Sequence, residues 1–183
     1  MPEAAIEQTP DGLRPSGEGW FVVNLAEVAA RRNARMGVAC SPEPSGARFG
    51  EFGVNVCVLE PGQFNARYHR ENAQEGFLVL SGTCLLVVEG QERRLASGDY
   101  FHSPPLTGHV LVGAGDGPCT IVMVGGRTKD WCVGEGFPVD AAAARYDASV
   151  PAPTGSPAEA YADIPDDEPA RLPWPPPGLT PAA

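Results

Sequence analysis

The chain has 183 residues, 43% apolar and 20% charged, with 22 Gly and 20 Pro; this is the size and usage of one domain with one core, and such dense backbone punctuation disfavours a helical bundle and favours short strands joined by turns. Thirteen Lys and Arg against 23 Asp and Glu give a formal charge of −10, a field that repels phosphate backbones and anionic lipid, so no nucleic-acid and no membrane partner is expected. The first twenty residues hold Pro2, Pro10 and Pro15 and no apolar run, and no stretch approaches the ~20 apolar residues of a membrane span, so a cytoplasmic protein is expected.

Residues 1–17 are polar and Pro-marked and read as a loose N-terminal arm. Trp20 to Val23 then reads as a first ordered piece leading into a short helix. Asn24 suits its N-cap, Glu27 completes a capping-box pattern, Arg31 and Arg32 suit the last turn, and Gly37 suits the end. Residues 41–50 read as loop. From Phe52 to Val124 the texture changes to short β-rich runs with Gly-containing turns every eight to twelve residues, the spacing of a barrel or sandwich. The runs are 54–59, 64–71, 76–80, 83–88, 91–95, 100–102, 109–112 and 119–124. Glu89-Gly90 reads as a tight hairpin turn, and 96–99 and 114–117 as further turns. Runs such as FLVL and CLLVV are apolar on both faces, which suits strands covered on both sides, by a second sheet or by another subunit.

Beyond Val124 the pattern fades, with room for a short helix around Ala141 to Arg145. Residues 151–183 carry ten of the prolines and the acidic cluster Asp163, Asp166, Asp167 and Glu168, so they form no core of their own and read as extended or disordered. Tyr161, Leu172 and Trp174 could still pack along the barrel or a neighbouring chain. The division is therefore an arm at 1–17, a barrel domain at 18–148 with its motif core at 52–126, and a Pro-rich acidic tail at 149–183. Five cysteines (Cys40, Cys57, Cys84, Cys119, Cys132) without CxxC pairing read as buried free thiols, Cys57 and Cys84 filling core volume.

The chain's three histidines, His69, His102 and His109, all fall in the expected barrel. Side chains alternate faces along a strand, so His69 and Glu71 project to the same side. Glu75 opens the next apolar strand, where a carboxylate has no structural reason to be, and His109 opens another. On these residues the sequence resembles the cupin superfamily, whose motifs are roughly G(X)5HXH(X)3,4E(X)6G and G(X)5PXG(X)2H(X)3N. The resemblance covers about residues 52–126. His69 stands at the first His, Glu71 at the second, Glu75 at the Glu, and Gly82 follows after six residues; Gly98, Pro104 and His109 keep the second spacing. Pro61-Gly62 and Leu80-Ser81-Gly82 frame the first motif, and HRENAQEGFLVLSG also looks like single-domain cupins related to sugar-phosphate isomerases.

The chain departs from the pattern at four points. Six residues separate Gly62 from His69, Glu71 replaces a histidine, Leu106 a glycine, and Gly113 the final asparagine. A rival register puts Tyr68 and Arg70 at the two His positions, which leaves no competent metal site. The resemblance implies an all-β double-stranded β-helix (jelly-roll) barrel with a divalent metal inside, often dimeric, so a homodimer is expected; apolar edge strands invite the same pairing.

Two carboxylates and two imidazoles converging inside a barrel without a cation would crowd like charges in low dielectric, which a divalent ion relieves. The expected metal ligands are His69, Glu71, Glu75 and His109. Two glutamates balance a 2+ charge, so the ion acidifies bound water less than the three-His, one-Glu set does. The donors suit Mn, Fe, Co, Ni or Zn, and His69, Glu75 and His109 alone make the 2-His-1-carboxylate set of non-haem Fe(II) oxygenases. Glu71 is read either as a ligand or as the catalytic base. Arg67 shares the His69 face if the strand is regular and would then reach an anionic substrate; His102 reads as a structural or rim residue. The function expected is a metal-dependent enzyme acting on a small-molecule ligand, dioxygenase-like or sugar-isomerase-like. The alternative is a non-catalytic small-molecule-binding protein whose metal is structural or lost.

Overall fold

Most of the β-rich runs between Phe52 and Val124 are strands in the computed structural model, which describes residues 1–44, 48–127 and 134–176. In chain order the strands are β1 (Ala5–Thr9), β2 (Gly12–Ser16), β3 (Ala29–Asn33), β4 (Gly37–Cys40), β5 (Phe52–Leu59) and β6 (Glu75–Ser81). They continue with β7 (Thr83–Val88), β8 (Gln91–Ala96), β9 (Tyr100–Ser103), β10 (His109–Ala114), β11 (Cys119–Gly126) and β12 (Glu168–Arg171). Two one-turn helices, α1 (Ala141–Ala144) and α2 (Pro157–Ala160), follow β11.

Seven strands form one antiparallel sheet in the order β12-β3-β4-β5-β11-β6-β9, and three form a second in the order β10-β7-β8. The period-two alternation of β5 and β11 aims Cys57, Leu59, Cys119 and Ile121 at the second sheet, where they meet Cys84, Leu86 and Leu111 in the main core. The opposite face of β5 carries Val56 and Val58, and the chain's own N-terminal segment covers it with Val23, Leu25 and Val28, joined by Leu172 from the tail. The CLLVV run likewise finds both covers within one chain, Cys84 and Leu86 in the main core and Leu85 and Val87 packed with Ala142 and Ala143. At the tip of β7 and β8, Glu89 (φ 48°) and Gly90 (φ 71°) both take positive φ, the turn geometry whose twist matches the flanking strands.

The N-terminal helix expected after Val23 is not formed. Asn24 does cap a turn, its Oδ1 accepting from the Ala26 N–H at 3.0 Å, and the Glu27 N–H reaches the Asn24 carbonyl at 2.9 Å, but the turn stops there. Val28, Ala30, Val38 and Cys40 are the apolar side chains buried in the stretch that follows, and a spacing of two within each pair suits extended strands and not a helical stripe. Asn33 folds the resulting β3–β4 hairpin by accepting from the N–H groups of Arg35 and Met36 at 2.9 and 3.2 Å, and Gly37 closes it at φ 74°.

Two other expectations change. The supposed loose arm at 1–17 contains the β1–β2 hairpin, with Ala5 opposite Ser16 and Thr9 opposite Gly12. The 64–71 run is not a strand. Phe64 bridges Val112 and His69 bridges His109, so five steps of this segment lie against three of β10, and the excess residues bulge. Asn65 turns inward, its Oδ1 accepting from the Leu111 N–H at 2.8 Å, while Arg67 turns the other way.

The tail is ordered over its described residues, because its partners lie in distant parts of the chain. β12 pairs with β3, Glu168 opposite Arg32; Asn33 Nδ2 donates to the Pro165 carbonyl at 2.8 Å and to Asp167 Oδ1 at 2.9 Å. Ala160 packs with Phe137 and Val150, Leu172 is buried, and Trp174 is 40% exposed. The short helix expected near Ala141 is α1, capped by Asp140, whose Oδ1 accepts from the Ala143 N–H at 2.8 Å. Cys40, Cys57, Cys84 and Cys119 are buried free thiols, and Cys132 lies outside the described residues. Among the described residues no helix is long and apolar enough to cross a membrane.

Candidate metal centre

Three elements bring the site together. His109 opens β10 and is wholly buried. His69 sits on the irregular segment beside it, the two residues exchanging backbone hydrogen bonds of 3.2 Å (His69 N–H to His109 carbonyl) and 2.9 Å (the reverse). Glu75 is the first residue of β6, opposite Gly125 of β11 and Ser103 of β9, and shares its inward face with Phe77.

Both imidazoles are oriented through Nδ1. His69 Nδ1 lies 2.7 Å from the Arg67 carbonyl and His109 Nδ1 lies 3.0 Å from the Thr107 carbonyl, with Ser103 Oγ at 3.4 Å. A carbonyl only accepts, so each Nδ1 carries the hydrogen and each neutral ring keeps its lone pair on Nε2, the orientation common in metal-binding histidines. The ligand atoms of His69, Glu75 and His109 all lie within 4.8 Å of one another. Glu71 falls outside this trio; its Oε1 stands 3.6 Å from His69 Nε2.

Charge is poorly balanced here. His109 Nε2 is buried without a hydrogen-bond partner, although Glu75 Oε2 is only 3.3 Å away. Burial and then the charge of His69 hold His109 down at about 4, so its ring is neutral at neutral pH and that contact is not an ion pair: a nitrogen lone pair faces a carboxylate oxygen. Burial and the charge of Glu71, opposed by His69, push the Glu75 carboxyl up to about 7. For His69 burial pulls the value down, but the hydrogen bond that the ring donates to Glu71 and the charges of Glu75 and Glu71 outweigh it and the result is raised. Two imidazole nitrogens and a carboxylate oxygen that need a shared positive centre are a donor set that fits a divalent transition metal.

A cavity of about 500 Å³ opens onto these groups, and its walls include His69, Glu71 and Glu75, the amides Asn55 and Asn65, and Phe77 and Met123. Arg48 and Arg127 line it as well. Arg127 is paired with Glu43 and lies where a side chain at Gly53 would be, an added Cβ there colliding with its guanidinium. The amides and arginines were not singled out by the sequence reading. Asn55 was in principle visible as a polar residue alternating with Val54 and Val56; the two arginines have no local signature.

The other candidates lie elsewhere. Arg67, expected to reach substrate from a regular strand, is 2% exposed and bonded to the tail, because the bulge at 64–69 turns it away from the cavity. His102 is exposed on β9. Tyr68 packs in a separate core cluster and Arg70 Nε donates to the Glu135 carbonyl at 3.2 Å, so the register that placed them at the metal positions is excluded. Leu106, at the motif's glycine, adopts the glycine-like φ of 68°, and its N–H donates to the Glu71 carbonyl at 2.6 Å.

In comparison with known proteins, residues 55–125 match the family model of the Cupin domain. No curated protein matches the chain. Among solved structures it is similar to a sugar phosphate isomerase of the cupin superfamily from Silicibacter pomeroyi, at 34% identity over 43% of this chain and 52% of that one, with a TM-score of 0.41. The polyketide cyclase RemF from Streptomyces resistomycificus matches at 17% identity over 58% of this chain and 78% of its own, with a TM-score of 0.50. A cupin-like protein from Thermotoga maritima matches at 19% identity over 51% and 74%, with a TM-score of 0.46. The match spans about half the length of the Silicibacter protein.

Proposed function

We propose, for a chain that carries a cupin domain at residues 55–125, that it is a metal-dependent enzyme transferring a proton within a small, oxygen-rich, anionic substrate. His69, Glu75 and His109 would hold the ion, and Glu71 would be the acid–base group beside it. The observation that carries this reading is the buried His109 Nε2, without a hydrogen-bond partner and facing a carboxylate oxygen at 3.3 Å. A buried polar atom left in that state costs about 1–3 kcal/mol; a cation between nitrogen and oxygen removes the cost, as a proton on Glu75, whose carboxyl is pushed up to about 7, does in its absence.

A divalent ion bound there supplies positive charge that polarises a substrate carbonyl or hydroxyl oxygen. The remaining work falls to the chain. Glu71 lines the cavity with its side chain 18% exposed; it takes the proton from a hydroxyl-bearing carbon and returns it to the former carbonyl carbon while the hydroxyl proton passes to the former carbonyl oxygen, so the isomerisation balances without an oxidant. Its place beside the trio, with Oε1 3.6 Å from His69 Nε2, puts a proton-transferring group within reach of a substrate bound there. Asn55 and Asn65 present amides to hydroxyl groups, Phe77 and Met123 exclude water on one wall, and Arg48 offers an exposed guanidinium to an anionic end.

The test begins with elemental analysis of protein purified without a histidine tag. Hydroxy-carbonyl phosphates and carboxylates are then incubated in D2O and read by NMR, in parallel with oxygen uptake on catechol-like and diketone substrates. The expected result is a bound divalent metal and deuterium at the carbon next to the carbonyl. Glu71→Gln should keep the metal and lose roughly 10²–10⁴-fold in exchange rate. Oxygen uptake without exchange would overturn this in favour of an oxygenase, and absence of metal and turnover would favour the non-catalytic binder.

A further inference from the structure

The segment that carries His69 belongs to no regular strand, and something else must fix it. Its inner side is tied to β10 by the His69–His109 bonds. Its outer side is tied to the region after β11: the Tyr68 N–H donates to the Ala148 carbonyl at 2.7 Å and the Arg70 N–H to the Gly136 carbonyl at 2.9 Å. Immediately before Tyr68 comes Arg67, the largest fully buried side chain among the described residues.

Arg67 Nε donates to the Ala160 carbonyl at 3.1 Å, and Nη1 to the carbonyls of Asp147 and Ser149 at 2.7 and 3.3 Å. Nη2 is paired with Asp163, and the guanidinium lies over the Phe64 ring, 5.4 Å from its centre. The backbone of Arg67 is held as firmly. Its N–H donates to the Tyr161 hydroxyl at 3.1 Å, while its carbonyl faces His69 Nδ1 at 2.7 Å. The Tyr161 ring in turn meets Phe137 edge-on, 5.6 Å between centres, and Phe137 packs against the His69 ring at 6.2 Å.

We propose that the C-terminal segment from Gly136 to Asp163 is a working part of the metal centre, acting through Arg67 and Tyr161 to fix the Nδ1–H tautomer and the ring orientation of His69. Arg67, Tyr161 and Asp163 are positioning residues in this scheme. The segment grips Arg67 on its side chain and its N–H, so the Arg67 carbonyl is delivered to His69 Nδ1 at a set place and Nε2 is left aimed at Glu75 and His109. His109 takes its orientation from Thr107 and Ser103 within the barrel and is independent of the tail. The inference rests on the metal reading above only for its consequence, affinity, and not for the tautomer itself.

The full chain is tested in two ways. Long-range 1H–15N spectra of histidine-labelled, metal-free protein at alkaline pH, where the rings are neutral, read which nitrogen carries the hydrogen. Calorimetric titration with Zn2+ reads affinity. In the parent, His69 is expected as the Nδ1–H tautomer. Tyr161→Phe and Asp163→Asn are expected to mix the His69 tautomers, leave the His109 signals in place, and weaken Zn2+ binding roughly 10–100-fold, the scale on which outer-shell partners act. Asp167→Ala, which removes the tail's hydrogen bond with Asn33 outside the Gly136 to Asp163 segment and without touching Arg67, should leave both readouts unchanged. An Nε2–H tautomer in the parent overturns the proposal, as does an unmoved His69 signal in both variants, or an equal effect from Asp167→Ala. If the parent binds no Zn2+ while the His69 tautomer still follows Tyr161 and Asp163, the metal reading fails and the positioning role stands.

Discussion

The barrel strands β5 to β11 and the C-terminal segment are held by different physics. The first are held by side chains removed from water, with Leu59, Val79, Leu111 and Ile121 all fully buried. The second also buries apolar residues, Phe137, Ala143, Ala148 and Val150 among them, and is fastened in addition by Arg67 and Arg35 on Asp163, Arg35 on Asp147, and Asn33 on Asp167. Apolar burial is indifferent to proton concentration and to salt at ordinary strength, whereas charge pairs reached by water respond to both. The two regions therefore have separate vulnerabilities, although the tail touches the segment that carries His69.

The largest effect that would test this division is in the barrel. Leu111→Ala is expected to lower stability by about 2–5 kcal/mol in urea unfolding, with barrel and tail signals lost together; loss of the tail alone would break the comparison. The next is acid. Arg67, and then Arg35, hold the Asp163 carboxyl down at about 2, so its contribution is complete above the ordinary carboxylate range and disappears as pH falls through that value. Limited acid proteolysis should cut the 149–171 region between roughly pH 4 and 2 while far-ultraviolet circular dichroism still reports strands. The smallest effect is a gain. Leu106 is 53% exposed in a backbone conformation that costs a non-glycine residue on the order of 1 kcal/mol, so Leu106→Gly should raise the melting temperature slightly without moving the acid release of the tail.

Much of the barrel was readable because its signals are local. Alternation and turn residues locate β5 to β11 within a residue or two, and Glu89-Gly90 marks its own hairpin. His69, Glu75 and His109 were found by spacing, and the structure brings their ligand atoms within 4.8 Å. Glu71 reaches the same cavity, but not through the strand alternation invoked for it, because 64–71 bulges against β10. That bulge is set by a partner forty residues away and leaves no trace in the segment itself. The helix expected after Asn24 failed for a different reason: its capping signal is real, and the spacing of Val28, Ala30, Val38 and Cys40 outweighs it. The tail misled because an arginine matched to a distant aspartate has no periodicity to read.

One pairing has a consequence for how the molecule is made. β12 lies along the outer edge of β3, and β12 begins at Glu168 whereas β3 ends at Asn33. At about 5–20 residues per second of translation, the ribosome leaves that edge without its neighbour for on the order of ten seconds. During this interval its bare N–H and C=O groups are a template for any other nascent chain. Arg31 and Arg32, both exposed on β3, place like charges along the bare edge and so act as gatekeepers against intermolecular pairing until the last strand arrives.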